Sequence, residues 1–549
     1  MTQIAKLDRR RFLSVTARIA AMSAASPLLT SPSRKVLALA NAPAASESSA
    51  KLAADPRRPQ FHLLPAANWM NDPNGPIYWK GHYHMFFQYN PNAAVWGDMH
   101  WAHAVSPDMV HWKHLPVALA PTPGGPDADG CFSGTAVVHN GTPTFIYTGV
   151  QSVPVAEATL RDGHNNFRET QLYATSTDSE LRTWIKRSAP VIAAPPKDIE
   201  VTGFRDPAPW REPSLAGGAW LMAVGSGIKG KGGAVLLYKS SDLQTWEYLH
   251  IVASSANTGS NTTNPVDSGD MWECPDLFPL GNRHVLLYAT QGRVFWKVGE
   301  LDPKDLIFHE QQSGVVDHGS YYAAKTQLDK SGNRILWGWV PETRPVEEHR
   351  AAGWAGLMSL PRVLTLGQDG RLRTGIAPVV EKLRQHEQKL QLTRVKPGDT
   401  KSEEMQSSQR LQGACGEILC VVKPSEPFSL DLLDTARPND APKDATTAVT
   451  SQVSLLSVRY SQANPKELVV DRDRLQIGLA AGEPLELRFF IDGSVIELFV
   501  NNQAGCTRRF YYPGAKAPEI AVSITGKQQD ISRLSMWQYS AISSNRLTT

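Results

Sequence analysis

The sequence predicts an all-β protein, a β-propeller followed by a second all-β domain, and three observations carry that expectation. The middle of the chain is a series of short apolar and aromatic runs separated by Gly, Pro and Asp turns. Within it a phrase recurs: Trp101-Ala102-His103-Ala104-Val105-Ser106-Pro107-Asp108 closing at Trp112, Leu172-Tyr173-Ala174-Thr175-Ser176-Thr177-Asp178 closing at Trp184, and Leu237-Tyr238-Lys239-Ser240-Ser241-Asp242 closing at Trp246. Each copy reads as a strand that leaves into a Ser-Asp turn and returns through a buried tryptophan, as one propeller blade would repeat it. Farther on, residues 485–500 read as two strands joined at Asp492-Gly493, a hairpin signal.

Residues 1–42 read as an export peptide of the twin-arginine type. Asp8-Arg9-Arg10-Arg11-Phe12-Leu13 pairs arginines with an apolar pair, and Ala40-Asn41-Ala42 offers a small-x-small cleavage site. Arg18 and several serines interrupt the stretch 12–29, which makes it a poor membrane anchor, and no other segment is long and apolar enough to span a bilayer. The expectation is a protein exported to the periplasm or beyond, with no membrane insertion of the mature chain. A basic tail is the plainer alternative. Residues 43–58 then read as a linker.

At 549 residues, 41% apolar and 20% charged, the chain is globular and exceeds one ordinary domain. Its formal charge of +3 is near neutral for that size, without long basic runs beyond the N-terminus, which argues against nucleic acid as a partner. The five cysteines show no C-x-x-C pair and no zinc spacing, so neither a metal nor another cofactor is expected. Cys415 and Cys420 are close enough in sequence to bridge a hairpin in an oxidising compartment, with connectivity left open.

Three acidic motifs stand out: Trp69-Met70-Asn71-Asp72-Pro73-Asn74-Gly75, Phe204-Arg205-Asp206-Pro207 and Trp272-Glu273-Cys274-Pro275-Asp276. Taken singly, the first is also a good turn and the second also a surface ion pair. Together they set carboxylates beside prolines and aromatics, which suits acids lining a sugar pocket. Retaining glycoside hydrolysis needs a nucleophilic carboxylate and a proton-donating carboxylic acid about 5 to 5.5 Å apart, so acids from distant parts of the chain must converge. The inner strands of successive blades would deliver one motif each to a common axis.

In order, wording and flanks these motifs resemble those of glycoside hydrolase family 32, the invertases, inulinases, levanases and fructan exohydrolases. Further matches are 87–91 (FQYNP), 96–101 (WGDMHW), 132–134 (FSG), 147–149 (YTG), 321–326 (YYAAKT) and 353–362 (GWAGLMSLPR). The resemblance runs from about Phe61 to Arg362 and resumes near Leu485 to Pro513. It implies a five-bladed propeller at 59–365, a linker at 366–395 and a C-terminal β-sandwich at 396–541. It also implies roles for the acids: Asp72 as nucleophile, Glu273 as general acid and then base, and Asp206 as the carboxylate holding the fructose hydroxyls. Asn71, Gln88, Trp96, Phe132, Ser133 and Arg205 match positions that line the fructosyl subsite. The chemistry asks Glu273 to stay protonated for leaving-group departure and Asp72 to be ionised for attack, a division that close approach of the acids favours.

The implied activity is exo-acting β-fructosidase on sucrose or fructan. Alternatives on the same scaffold are a fructosyltransferase, which would build oligofructans from concentrated sucrose, and a noncatalytic fructan-binding protein, against which the presence of all three acids argues. Residues 130–134, 271–276 and 335–339 look like the plant cell-wall invertase and fructan exohydrolase branch. Phe132, however, stands where plant members usually carry Trp, and Lys229 where plant invertases tend to carry an Asp that favours sucrose. Cys274 is expected to shape the surroundings of the acid before it.

After Arg362 the texture changes. A helix-like stretch at 379–388 leads into polar residues 401–409 and then into strand-like runs such as 453–458. Support of the propeller is the plainer role for this domain, direct carbohydrate binding the other. Gly225-Ser226-Gly227-Ile228-Lys229-Gly230 satisfies G-x-G-x-x-G, yet strand-like runs flank it on both sides. It therefore reads as a hairpin loop, lacking the helix that would hold phosphate.

Overall fold

The computed structural model describes residues 45–160, 166–255, 268–395, 403–438, 452–480 and 482–543. The export signal expected at 1–42 lies outside them. The stretch expected as a linker before the propeller carries a helix, Ala45–Ala54. Leu52, near its end, is buried with Leu64 and Trp354.

Five antiparallel sheets of four or five strands make the propeller. Their inner strands are Asn68–Trp79, Cys131–His139, Val201–Arg211, Glu273–Leu280 and Tyr322–Leu328. Each packs against the next in chain order, and the fifth packs against the first, so the ring is closed. The closure is also hydrogen-bonded. Trp354–Ala355, from the fifth-blade region, pairs in parallel with Asn68 and Trp69 of the first inner strand, and the Asn68 N–H donates to the Gly353 carbonyl at 2.7 Å.

The recurring phrase is the connection from third to fourth strand of a blade. In the first three blades the serine hydroxyl, from Ser106, Ser176 or Ser240, accepts the N–H of Asp108, Asp178 or Asp242. Met109, Leu181 and Leu243 then turn in the left-handed region at φ 73°, 57° and 63°. Trp112 is buried, Trp184 and Trp246 are half-buried, and the indole N–H of each of the last two donates to a turn carbonyl, of Leu181 or Leu243. A fourth copy escapes the sequence pattern: Asp302 caps the turn, Leu306 takes the left-handed position at φ 61°, and Phe308 stands where the tryptophan would be.

The fifth blade ends later than expected. Its outer strand is Leu372–Ile376, with Leu372, Thr374 and Ile376 turned inward in strict alternation. The stretch 379–388 forms one 3₁₀ turn, Pro378–Leu383, and then a strand, Arg384–Lys389, that joins the sandwich, as does Leu392–Arg394. No free linker separates the two halves, because 366–395 is used up in strands. The polar run 401–409 likewise contains a strand, Glu403–Ser407. The G-x-G-x-x-G segment is the hairpin between Trp220–Ile228 and Gly232–Ser240.

Sheets of six and seven strands form the C-terminal sandwich over a core including Ile418, Leu430, Leu456, Phe489 and Ile524. The Asp492-Gly493 turn joins strands Leu485–Asp492 and Val495–Val500. Gly493 sits at φ 60°, and a Cβ there would come within 2.8 Å of the Arg57 carbonyl, so only glycine fits against the entering chain. Cys415 and Cys420 do not bridge a hairpin. Both lie on the single strand Cys415–Val422 and all five cysteines are free. Five residues of extended chain separate the two by about 17 Å and turn them to opposite faces, beyond disulfide reach.

A buried ionic network joins the two domains. The His62 ring places Nδ1 2.8 Å from Asp492 and Nε2 3.0 Å from Glu497, and all three residues are fully buried. Arg362 ties Glu497 to Asp317, and Thr507 of the sandwich donates its hydroxyl to Asp317 at 2.8 Å. With a carboxylate on each ring nitrogen, the imidazolium is favoured despite burial, and the His62 pKa is raised.

Candidate active site

Every inner strand is irregular at the same level. In four blades two residues face one on the neighbouring strand: Asn71-Asp72 opposite Gln88, Asp206-Pro207 opposite Val224, Cys274-Pro275 opposite Tyr288, and Ala323-Ala324 opposite Gly338. In the second blade Ser133 is the extra residue. A β-bulge re-aims the side chains beside it and sharpens the local twist, so five bulges at one level turn side chains from all blades toward the axis. Asp206, Cys274 and Ala323 hold positive φ of 65°, 48° and 52° there, a conformation that non-glycine residues keep only where surroundings enforce it.

For Asp206 those surroundings are visible. Its backbone N–H donates to Thr148 Oγ1 at 2.9 Å, Thr148 in turn donates to Gln171, and Gln171 Nε2 donates to the Phe204 carbonyl at 2.9 Å. The second blade thus grips the Phe204-Arg205-Asp206 backbone from the side. Pro207 and Pro275, within their bulges, suit these positions, since a bulge leaves the missing N–H without a ladder partner to lose.

The acids converge. Asp72, nearly fully buried, accepts hydrogen bonds from Ser133 Oγ at 2.7 Å and Asn71 Nδ2 at 3.0 Å. Cys274 Sγ lies 3.5 Å from both Asp72 Oδ2 and Asp206 Oδ2, and the Cys274 N–H donates to Asp206 at 2.9 Å. Glu273, partly open to solvent, accepts from Arg205 Nη2 at 3.0 Å and from the Tyr322 hydroxyl at 2.6 Å. The Asp206 pKa is raised to about 6: burial is the largest cause, Arg205 pulls against it, and the negative charges of Glu273 and Asp72 add to the rise. Three carboxylates close enough to feel one another, each with its own donors, can divide the work of nucleophile, proton carrier and hydroxyl acceptor.

Six other residues expected at the site are gathered around them. Asn71, Ser133 and Arg205 bond directly to the acids. Gln88 faces the Asn71-Asp72 bulge and donates to the Cys131 carbonyl at 2.8 Å, two residues before Ser133. Trp96 and Phe132 meet edge to face at 5.9 Å and pack on the cluster that holds Cys274 and Tyr322, giving an aromatic wall.

Residues 62–375 match the family model described as "Glycosyl hydrolases family 32 N-terminal domain", and residues 379–538 match "Glycosyl hydrolases family 32 C terminal". The chain belongs to glycoside hydrolase family 32. Family 32 relatives include a sucrose-6-phosphate hydrolase of Escherichia coli, 33% identical over 87% of this chain and 94% of its own. A raffinose invertase of Escherichia coli is 35% identical over 84% and 91%. Among solved structures, fructan 1-exohydrolase IIa from Cichorium intybus superposes with a TM-score of 0.71 at 27% identity, over 88% of this chain and 98% of that one. The chain is thus a glycoside hydrolase with the propeller and sandwich of family 32.

Sequence reading missed three contributors. Tyr322 lies in a motif that matched the family, yet nothing in its spelling says that the hydroxyl reaches Glu273. Thr148 belongs to the matched 147–149 motif, and only the bulge shows what its hydroxyl holds. Glu169, buried on the strand Phe167–Thr175, has no sequence signal, because a charged residue in a polar-flanked strand reads as facing solvent.

Proposed function

We propose that the enzyme is a retaining exo-β-fructosidase in which Asp72 attacks the anomeric carbon of a terminal fructofuranosyl unit and Glu273 first protonates the leaving oxygen, then activates water. Asp206 holds the sugar hydroxyls as the ring flattens. The observation that carries this reading is the convergence of one acid from each of the first, third and fourth blades around Cys274, with a separate set of donors on each. Ser133 and Asn71 both donate to Asp72 and so orient its carboxylate as a nucleophile must be oriented. Glu273, at the more open edge, is placed to exchange protons with leaving group and water.

Relatives named for sucrose 6-phosphate and raffinose, and a neighbour named for fructan, support a fructosyl substrate with a variable leaving group. Lys229, on the hairpin after Trp220–Ile228, is exposed and pairs with Glu200 at 3.3 Å, and the reading covers sucrose and fructan alike. Parallel assays on sucrose, inulin and levan rank them. The Arg9-Arg10 motif supports export, checked by fractionating cells that carry the Arg9→Lys, Arg10→Lys pair: the parent protein leaves the cytoplasm and the variant stays.

Product stereochemistry tests the mechanism. Attack by Asp72 opposite the leaving group, followed by water at the same carbon, gives two inversions and releases β-fructose. NMR of fresh product before mutarotation shows it, and α-fructose as the first product rules out the covalent intermediate.

A further inference from the structure

Arg205 is shared. Its Nη2 donates to Glu273 at 3.0 Å and its Nη1 donates to Glu169 at 3.0 Å, one guanidinium forked between two carboxylates. Glu169 belongs to the second blade and is buried, and its other oxygen accepts the Phe204 N–H at 2.6 Å. Its own N–H donates to Thr159 Oγ1 at 2.9 Å, so the residue is fixed at both ends. A buried carboxylate aimed at the arginine that touches the proposed proton carrier needs an account.

We infer that Glu169 is a positioning residue: by holding one arm of the Arg205 fork and part of its charge, it keeps Glu273 from being locked as a carboxylate and so preserves its capacity to donate a proton. The inference rests on the reading of Glu273 as acid and base. The physical reason is a division of charge. A guanidinium given wholly to Glu273 would favour the ionised form, whereas one already neutralised by Glu169 favours it less. Glu169 also adds its own negative charge on the far side of the fork, which again favours a neutral Glu273. The carboxylates of Glu169, Glu273 and Asp206 together outweigh burial and hold Arg205 charged, so the cation itself does not titrate in the working range.

The other titratable groups facing this cluster are Asp72 from the first blade, Asp206 from the third, Cys274 beside Glu273, and Tyr322 and Lys325 from the fifth. A substitution at Glu169 leaves each of them in place. Gln at 169 can still accept the Phe204 N–H through its carbonyl oxygen, so the backbone grip survives while the charge goes.

The test is the alkaline limb of kcat/KM on sucrose, which reports loss of the donor proton. In Glu169→Gln the limb is expected to move to lower pH by about one unit, the lower end of what one nearby charge produces. In Glu169→Asp, which keeps the charge, it stays at the parent position even where kcat falls. Arg205→Gln, which removes the cation, moves it the opposite way, and serves on its own should Glu169→Gln fail to fold. An unmoved limb in Glu169→Gln, or in Arg205→Gln, overturns the inference and leaves Glu169 with a merely structural role. Failure of the Glu273 reading itself shows separately, as a parent alkaline limb that Glu273→Gln leaves in place.

Discussion

The Ser133 hydroxyl, from the second blade, donates to Oδ2 of Asp72, from the first, at 2.7 Å, and so fixes the orientation of that carboxylate. A hydrogen bond to a buried charge contributes about 1.5–3 kcal/mol. Ser133→Ala is therefore expected to lower kcat/KM roughly 10- to 100-fold, at about 1.4 kcal/mol per decade, with the fold intact. Steady-state kinetics beside a thermal melt checks both parts.

Asp72→Asn and Glu273→Gln keep side-chain volume and remove a charge or a proton. Each is expected to fold like the parent and to lose on the order of 10³-fold or more in kcat on sucrose. The two separate on a fructoside whose leaving group departs unaided. There the first step of Glu273→Gln recovers and that of Asp72→Asn does not; equal behaviour on that substrate would contradict the division of labour.

Asp206 gives a stability signature. Its carboxyl is raised from 3.8 to about 6 in the fold, so its contribution to stability is full below about pH 4 and is lost as pH rises through about 6. Asp206→Asn removes that loss, and its melting temperature relative to the parent should be higher at pH 8 than at pH 4. A difference of about two pKa units sets an upper scale of about 3 kcal/mol. Activity falls in the same variant. Urea titrations at both pH values measure the gap, and a gap that does not widen with pH refutes the assignment.

His62 follows the same sign, with a cation in place of a neutral acid. Its pKa is raised by Asp492 and Glu497, so the stability it contributes is full below about 6.5 and is lost as pH climbs through the higher folded value. His62→Gln, which leaves buried carboxylates short of a cation, is expected to cost about 3–5 kcal/mol at pH 6. The difference from the parent should narrow in alkaline buffer, as denaturation midpoints at pH 6 and pH 9.5 would show.

All five cysteines are free and buried. An aromatic disulfide reagent should therefore find no reactive thiol in the native protein and five in denaturant, and a reducing agent should leave the melting temperature where it was. Any reductant-sensitive melt would mean a bridge that this fold does not contain.

Much of the architecture was legible because its signals are local. The Ser106, Ser176 and Ser240 turns each announce the edge of a blade within a few residues, and Asp492-Gly493 announces its hairpin. The fourth copy was missed because Asp302 and Phe308 preserve the geometry with different letters. The linker reading of 366–395 failed for a related reason: Leu372 to Ile376 is too short and too mixed to stand out, and becomes a strand only by pairing with Arg362–Leu366. At the site, the motifs around Asp72, Asp206 and Glu273 carry spelling as well as chemistry and could be read directly. Tyr322 and Glu169 act across blade boundaries, and no spacing along the chain encodes that.

The pairing of Trp354 and Ala355 with Asn68 and Trp69 also bears on biosynthesis. The first blade, which carries Asp72, leaves the ribosome early, yet its inner edge stays open until the fifth-blade region has emerged and folded back. A nascent chain that ends before Trp354 therefore lacks the strand that pairs with this edge. Ring closure through Trp354 and the contacts of Arg362 with the sandwich both wait on residues made late in synthesis. For a protein proposed to leave the cytoplasm already folded, that closure would have to precede export.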